Sequence, residues 1–218
     1  MNKKLIVLII VFILAIIYIV NFKWKDEGKI IYKQEYVNKE ILINNIYRFI
    51  PNESYSVVYE GTDLAPEIIA IEGDGEMYQT IGVNGKGLYR DVFKVVDNNL
   101  MLIYKEDLHD KNIDEALEQN LKDEISYNKN ESELILQSPI EVGQKWDNTE
   151  IVEVGMDLKL DDILLEGIYI KTVSNTLVDN ESITTEIYYS EGLGVVKYRV
   201  LINEEAISYY QLKSFKKN

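Results

Sequence analysis

The sequence predicts a mainly β protein of the α+β class, in which an N-terminal transmembrane helix precedes an antiparallel sheet of about nine strands and one amphipathic helix. Three observations predict this class: an unbroken apolar run near the start, alternation of apolar and polar residues from Tyr55 onward, and helical spacing in only one later segment. We therefore expect a membrane anchor helix at 1–22, a stalk at 23–40 and a β-rich extracytoplasmic domain at 41–218.

The anchor is an apolar run that begins at Leu5 and ends at Val20. As a helix it spans about 24 Å, slightly less than a hydrocarbon core of roughly 30 Å, so a cleaved signal peptide is the competing interpretation. Signal peptidase needs small residues before its cut, and none occurs from Ile16 to Trp24. A lipoprotein signal needs a cysteine, which the chain lacks. We therefore predict an uncleaved anchor, with the membrane as the partner of residues 5–20.

The lysines around the anchor give conflicting evidence on orientation. Lys3 and Lys4 precede it, whereas several lysines follow it, and the positive-inside count alone would leave the body in the cytoplasm. A very short basic head before the first apolar run is typical of an export signal. We predict a single-pass protein of the cell membrane, with the bulk of the chain extracytoplasmic.

Composition excludes several kinds of chemistry. The 218 residues include no cysteine and one histidine, His109, which excludes thiolate nucleophiles, cysteine-ligated zinc and two-histidine metal sites. Acidic residues outnumber basic ones by 37 to 23, and a body with this acidic excess repels phosphate backbones. We therefore expect no catalytic residues, no cofactor, no metal site and no nucleic-acid partner.

Period-two alternation defines the strands of the body. The segment 40–49 is apolar enough for a helical turn or for a first strand, and the sequence leaves that choice open. The Asn-Gly pair at 84–85 tolerates the positive φ angles of a tight turn, so the glycine-rich stretch 82–87 favours a hairpin over a phosphate loop. Five apolar residues at strict alternation within 152–160 predict the clearest strand.

One segment has helical spacing instead. Apolar residues recur every three or four positions from Ile113 to Ile125, and Asn112 and Glu115 are placed like a capping pair. This pattern predicts a single amphipathic helix near 112–127.

Two short motifs resemble those of a known family. Residues 138–146 read Ser-Pro-Ile-Glu-Val-Gly-Gln-Lys-Trp, and residues 188–197 read Tyr-Tyr-Ser-Glu-Gly-Leu-Gly-Val-Val-Lys. Together with a Tyr-x-Val-x-Tyr-x-Gly stretch at 55–61, they resemble a β-rich domain of uncharacterised lipoproteins and membrane-anchored extracytoplasmic proteins of Firmicutes, over roughly residues 45–215. The resemblance implies an exported domain similar to the curved half-barrels that hold lipids. It transfers no catalytic residues, and the chain lacks the lipobox cysteine of the lipoprotein members.

Three aromatic residues are the candidate ligand-binding residues: Trp146, Tyr188 and Tyr189. Aromatic faces pack on lipid chains and sugar rings, but strands favour aromatic residues anyway, so core packing is the competing interpretation, above all for Trp146. The acidic stretch 72–76 invites comparison with a calcium loop, but its spacing matches no EF-hand and favours a solvated turn.

The expected function is that of a membrane-anchored, non-catalytic extracytoplasmic binding protein whose ligand is a lipid, a cell-wall component or a protein partner. The anchor, the acidic body and the absence of a catalytic motif from the sequence favour it. The alternative is a carboxylate-dependent hydrolase of cell-wall glycan, which predicts two acids about 5 to 10 Å apart in a cleft.

Overall fold

Tight turns join consecutive strands into long antiparallel ladders. The computed structural model describes residues 43–62, 68–84, 87–108 and 132–218, and within them it contains twelve strands and one short 3-10 helix. The strands are β1 (Tyr55–Gly61), β2 (Ile68–Gly73), β3 (Met77–Asn84), β4 (Gly87–Val96), β5 (Asn99–Asp107), β6 (Glu133–Leu136), β7 (Lys145–Trp146), β8 (Thr149–Leu160), β9 (Ile163–Val178), β10 (Glu181–Ser190), β11 (Gly194–Ile202) and β12 (Glu205–Lys217). All twelve belong to one sheet.

The sheet consists of two six-strand meanders placed head to tail. Strands β1 to β6 follow one another across one half, and β7 to β12 follow one another across the other. The halves join where β1 pairs with β12, in a register that runs from Tyr55 opposite Lys217 to Gly61 opposite Tyr210. Gly61 is needed in this β1–β12 seam, because a Cβ there would lie 2.1 Å from the Tyr209 carbonyl oxygen.

The sheet is strongly curved. Its outer strands, β6 and β7, are consecutive in the chain and are joined by residues 137–144 alone. Such a connection reaches at most about 30 Å, whereas the edges of a flat sheet of this size would lie roughly 53 Å apart. The curvature also brings β3 close to β11. This proximity is seen at Gly194, where a Cβ would lie 3.4 Å from the Tyr78 hydroxyl oxygen. One face of the sheet is therefore concave.

A large apolar cluster contains buried residues from both halves, for example Leu100 of β5 and Ile170 of β9. The 3-10 helix, Ile46–Phe49, belongs to this cluster because Ile46 and Phe49 are fully buried. The sequence leaves the structure of this segment open, and the structure shows a helical turn there.

The predicted fold class is wrong in its strand count and in its helices. Twelve strands occur where about nine are predicted, and within the described ranges the only helix is the 3-10 turn. The four residues of β6 and the two of β7 are too short for alternation to reveal them. The predicted anchor at 1–22, the stalk at 23–40 and the helix near 112–127 lie outside the described residues.

The predictions of a transmembrane helix and of a single-pass membrane location are corrected as well. In the part of the chain that the structure describes, no helix combines the length and the apolar character needed to cross a bilayer. The apolar residues there belong largely to strands, whose side chains alternate between two faces and so give no continuous apolar helix.

Candidate functional site

A cavity of about 90 Å³ lies on the concave side of the sheet. Strands β3 and β4 form one wall, and the β10–β11 turn with β11 and β12 forms another, so both meanders contribute to it. We call this space the tyrosine cavity and define it by its lining residues, Tyr59, Ile71, Tyr78, Thr80, Tyr89, Asp91, Phe93, Leu193, Val195 and Tyr210.

The aromatic side chains of the tyrosine cavity hold one another in place. The Tyr78 ring stacks on Phe93 with 4.6 Å between ring centroids. Tyr210 meets the ring of Tyr59 edge to face at 5.2 Å. The Tyr59 hydroxyl donates to the carbonyl oxygen of Val195 at 2.5 Å, which ties β1 to β11 across the cavity. These contacts fix the rings before any ligand arrives.

The phenols of the tyrosine cavity are neutral at physiological pH. Burial raises the pKa of Tyr59, Tyr78, Tyr89 and Tyr210. Neighbouring phenols and the Asp91 carboxylate oppose ionisation in the same sense. The hydroxyls therefore act as hydrogen-bond donors and acceptors and carry no charge.

Asp91 brings the one charged side chain among the described lining residues. Burial raises the pKa of its carboxyl from 3.8 to about 6; Lys105 opposes this shift, and Glu133 and Asp107 add to it. Lys105 is opposite Asp91 in the β4–β5 ladder, but its Nζ pairs with Glu133 at 3.1 Å instead. Among the described residues, no hydrogen bond or salt bridge involves the Asp91 carboxylate.

The turn between β10 and β11 shapes the cavity wall. Gly194 has φ of +74°, a conformation that side chains disfavour, and it lies against the Tyr78 hydroxyl. Glu191 anchors the same turn, because it accepts two hydrogen bonds from Arg48 and one from the Ile168 amide. The β10–β11 turn, which forms the wall facing β3, is therefore held in place by Arg48 and by the Ile168 amide.

None of the three predicted ligand-binding residues is among the described lining residues of the tyrosine cavity. Trp146 on β7 and Tyr189 on β10 are buried in the apolar cluster. Alternation along β10 directs Tyr188 to the other face of the strand. Its side chain is nevertheless partly buried and packs against the same cluster, and its ring is 5.3 Å from the Lys171 Nζ and 5.7 Å from the Lys197 Nζ. A ligand contact at any of the three stays a prediction.

Sequence reasoning missed the tyrosine cavity, although one signal for it exists. Tyr89, Asp91 and Phe93 share a face of β4, so the alternation that points two aromatic rings inward also points a carboxylate inward. A charged residue in phase with core residues is the kind of exception that marks a site.

The acidic stretch at 72–76 forms a structural turn. The Asp74 Oδ1 atom accepts hydrogen bonds from the amides of Glu76 and Met77, both at 3.0 Å. In the described ranges no group of three or more acidic or histidine side chains could hold a metal ion. His109 lies outside those ranges.

The fold and the cavity together define a class: an antiparallel β protein with one curved sheet and a small tyrosine-lined cavity on its concave side. No protein-family model, curated protein or solved structure matches the chain.

Proposed function

We propose that the β domain is a non-catalytic binding domain that holds a small ligand group in the tyrosine cavity. The observation that carries the proposal is the convergence of several phenols and one carboxyl on a space inside an otherwise apolar core. Asp91 is half-buried, and a carboxyl withdrawn from water without a hydrogen bond or salt bridge costs stability. Such groups cluster at functional sites. Concave, largely apolar sites with a few polar groups are the usual form of ligand pockets.

The size of the tyrosine cavity limits the ligand. Its volume of about 90 Å³ is smaller than the cavity of roughly 150 Å³ that accepts benzene, so it fits a group smaller than a six-membered ring. A lipid head group, the end of a cell-wall component and a side chain of a protein partner each present groups of this size. The cavity therefore selects the group that enters it, and any of these molecules can carry that group.

A panel of three probes of equal size tests the proposal: isopropanol, isopropylammonium and acetate. Each is titrated into the full chain while the tyrosine ring resonances are followed by NMR. We expect at least one probe to bind and to shift the resonances of Tyr78 and Tyr89. Ligands this small have an affinity ceiling of roughly 40 µM, so millimolar binding is sufficient.

Two matched variants locate the binding. Val195→Phe fills the tyrosine cavity and should weaken binding at least about tenfold, whereas Val58→Phe makes the same change at an exposed position on β1 and should leave it unchanged. Absence of binding by all three probes, or equal binding by both variants, would contradict the proposal.

A carboxylate-dependent hydrolase is the second candidate, and Asp91 is the observation that favours it. A carboxyl with a pKa of about 6 suits a general acid. Such an enzyme needs a second carboxylate, and Asp91 is the single acid among the described lining residues. Release of sugars from cell-wall glycan by the natural chain, lost in Asp91→Asn, would support the hydrolase and contradict the non-catalytic proposal.

A further inference from the structure

The lining of the tyrosine cavity is unusually rich in aromatic rings. Half of its residues carry one, namely Tyr59, Tyr78, Tyr89, Phe93 and Tyr210. The face of an aromatic ring is electron-rich and attracts cations within about 6 Å. A small space bounded by several such rings therefore favours a positively charged group over a neutral one.

Asp91 adds a full negative charge to this lining. No lysine or arginine is among the described lining residues. The nearest candidate for internal neutralisation, Lys105, has a side chain that is 61% exposed and is paired with Glu133. The carboxylate is therefore available to a cation that enters from outside the protein.

One positive and two negative charges outside the lining act on Asp91, and the positive one, Lys105, lowers the pKa of its carboxyl. Asp107 and Glu133 both raise the pKa of Asp91, which means that their negative charge reaches its carboxyl. The whole chain has a formal net charge of −14. An anion would be repelled by Asp107, Glu133 and the net charge of the chain, although phenol hydroxyls could donate hydrogen bonds to it. A neutral alcohol is thus the main competitor of a cation.

The kind of cation follows from the size and the polarity of the space. A bare metal ion needs several oxygen ligands, and one carboxylate with a few phenols supplies too few strong ones. An alkylammonium group instead combines an apolar part, which suits Ile71, Leu193 and the rings, with a positive charge for Asp91. Cavity volume restricts the group to a few non-hydrogen atoms.

We propose that the tyrosine cavity binds a small alkylammonium group, with the aromatic rings around its apolar part and Asp91 as its counter-charge. This inference rests on the proposed binding function and names the chemical class of the ligand. Free amines, amine-bearing lipid head groups and lysine side chains share this chemistry.

Isopropylammonium and isopropanol provide a decisive comparison, because they have the same shape and differ in charge. With the full chain at pH 7.5, we expect isopropylammonium to bind at least about tenfold more tightly than isopropanol, and acetate to bind least. Equal or tighter binding of isopropanol would overturn the inference and leave the binding function standing. If no probe binds, both proposals fail.

Two variants assign the effect to Asp91. Asp91→Asn should reduce the affinity for isopropylammonium about tenfold and change that for isopropanol less than about twofold. Asp162→Asn, at an exposed position in the β8–β9 turn, is the matched control and should change neither. An amide NMR spectrum of each variant verifies its fold. Undiminished binding of the cation by a folded Asp91→Asn chain would also overturn the inference.

The same titration distinguishes the sources of the amine. Phosphoethanolamine represents a lipid head group, and N-acetyllysine amide represents a protein side chain. The phosphate of the former would approach the acidic groups at Asp91, so we expect the lysine analogue to bind more tightly of the two. Tighter binding of phosphoethanolamine would point to a lipid source, and binding of neither beside clear binding of isopropylammonium would point to a free amine; all three outcomes support an alkylammonium ligand.

Discussion

Two largely buried carboxylates on opposite faces of the sheet have very different surroundings. Glu186 on β10 accepts a hydrogen bond from the Lys171 Nζ at 2.7 Å and another from Arg199 at 3.2 Å. Asp91 on β4 has no such partner within the described ranges. Glu186 thus forms direct ion pairs with two cations, whereas Asp91 has Lys105 opposite it in the β4–β5 ladder but forms no salt bridge with it. These ion pairs give Glu186 a structural role, and our proposal gives Asp91 the role of binding a cationic ligand.

The largest effect is expected at Glu186. Glu186→Gln removes the charge that balances Lys171 and Arg199, and breaking a buried ion pair leaves the other charge uncompensated. We expect the free energy of unfolding to fall by about 2 to 4 kcal/mol, measured by urea denaturation of the full chain. Glu150→Gln is the control, since Glu150 pairs with Lys145 in solvent, where the two side chains are 40% and 67% exposed. A loss at Glu186 no larger than at Glu150 would remove the contrast between the two buried carboxylates.

Asp91→Asn should increase the free energy of unfolding, in contrast to Glu186→Gln. The raised pKa means that the folded state holds the Asp91 proton more tightly than the unfolded chain between pH 3.8 and about 6. As the pH rises through that window the natural chain loses stability, and the variant does not. We expect the variant to be more stable by about 1 to 3 kcal/mol at pH 7.5 and equally stable below pH of about 4. The free energy of unfolding at both pH values measures this, and a destabilised variant at pH 7.5 would show that Asp91 has a stabilising partner.

The smallest effect concerns a third carboxylate, Glu191, which is partly exposed. Arg48 binds it through two hydrogen bonds of 2.9 and 3.0 Å and so attaches the 3-10 helix to the β10–β11 turn. Arg48→Lys keeps the charge but loses the paired geometry, so the free energy of unfolding should fall by about 0.5 kcal/mol. Thermal unfolding of the full chain is the measurement. A loss above roughly 2 kcal/mol would mean that the Arg48–Glu191 pair stabilises the fold as strongly as the ion pairs of Glu186.

Sequence patterns predict the long strands but not how they pair across the sheet, and the expectation of a curved sheet came from the family resemblance alone. Alternation within 152–160 predicts a strand that the structure contains as β8. It does not predict the two bulges, between Ile151 and Glu153 and between Met156 and Leu158, which shift the pairing with β9 and leave Met156 56% exposed.

The β1–β12 seam pairs residues that are 149 to 162 positions apart, from Gly61 with Tyr210 to Tyr55 with Lys217, and no local pattern encodes such a pairing. The short outer strands β6 and β7 carry too few residues for a pattern.

The candidate site was harder to predict for a related reason. The tyrosine cavity takes residues from β1 to β4, the β10–β11 turn, β11 and β12, and the two groups meet because the sheet curves. Tyr188 and Tyr189 look like one aromatic pair in sequence, yet strand geometry sends them to opposite faces. Asp91 was visible as an inward-phased charge, but its significance depends on the absence of a described partner, which sequence cannot show.

The head-to-tail order of the two meanders affects how the chain folds during its synthesis. Each strand from β2 to β6 finds its neighbour soon after it leaves the ribosome, but one long side of β1 must wait until β12 has been made. Contacts of such high sequence separation close slowly. During synthesis the first meander therefore exposes the unpaired backbone groups along one edge of β1. We expect a chaperone or a second nascent chain to bind at this edge.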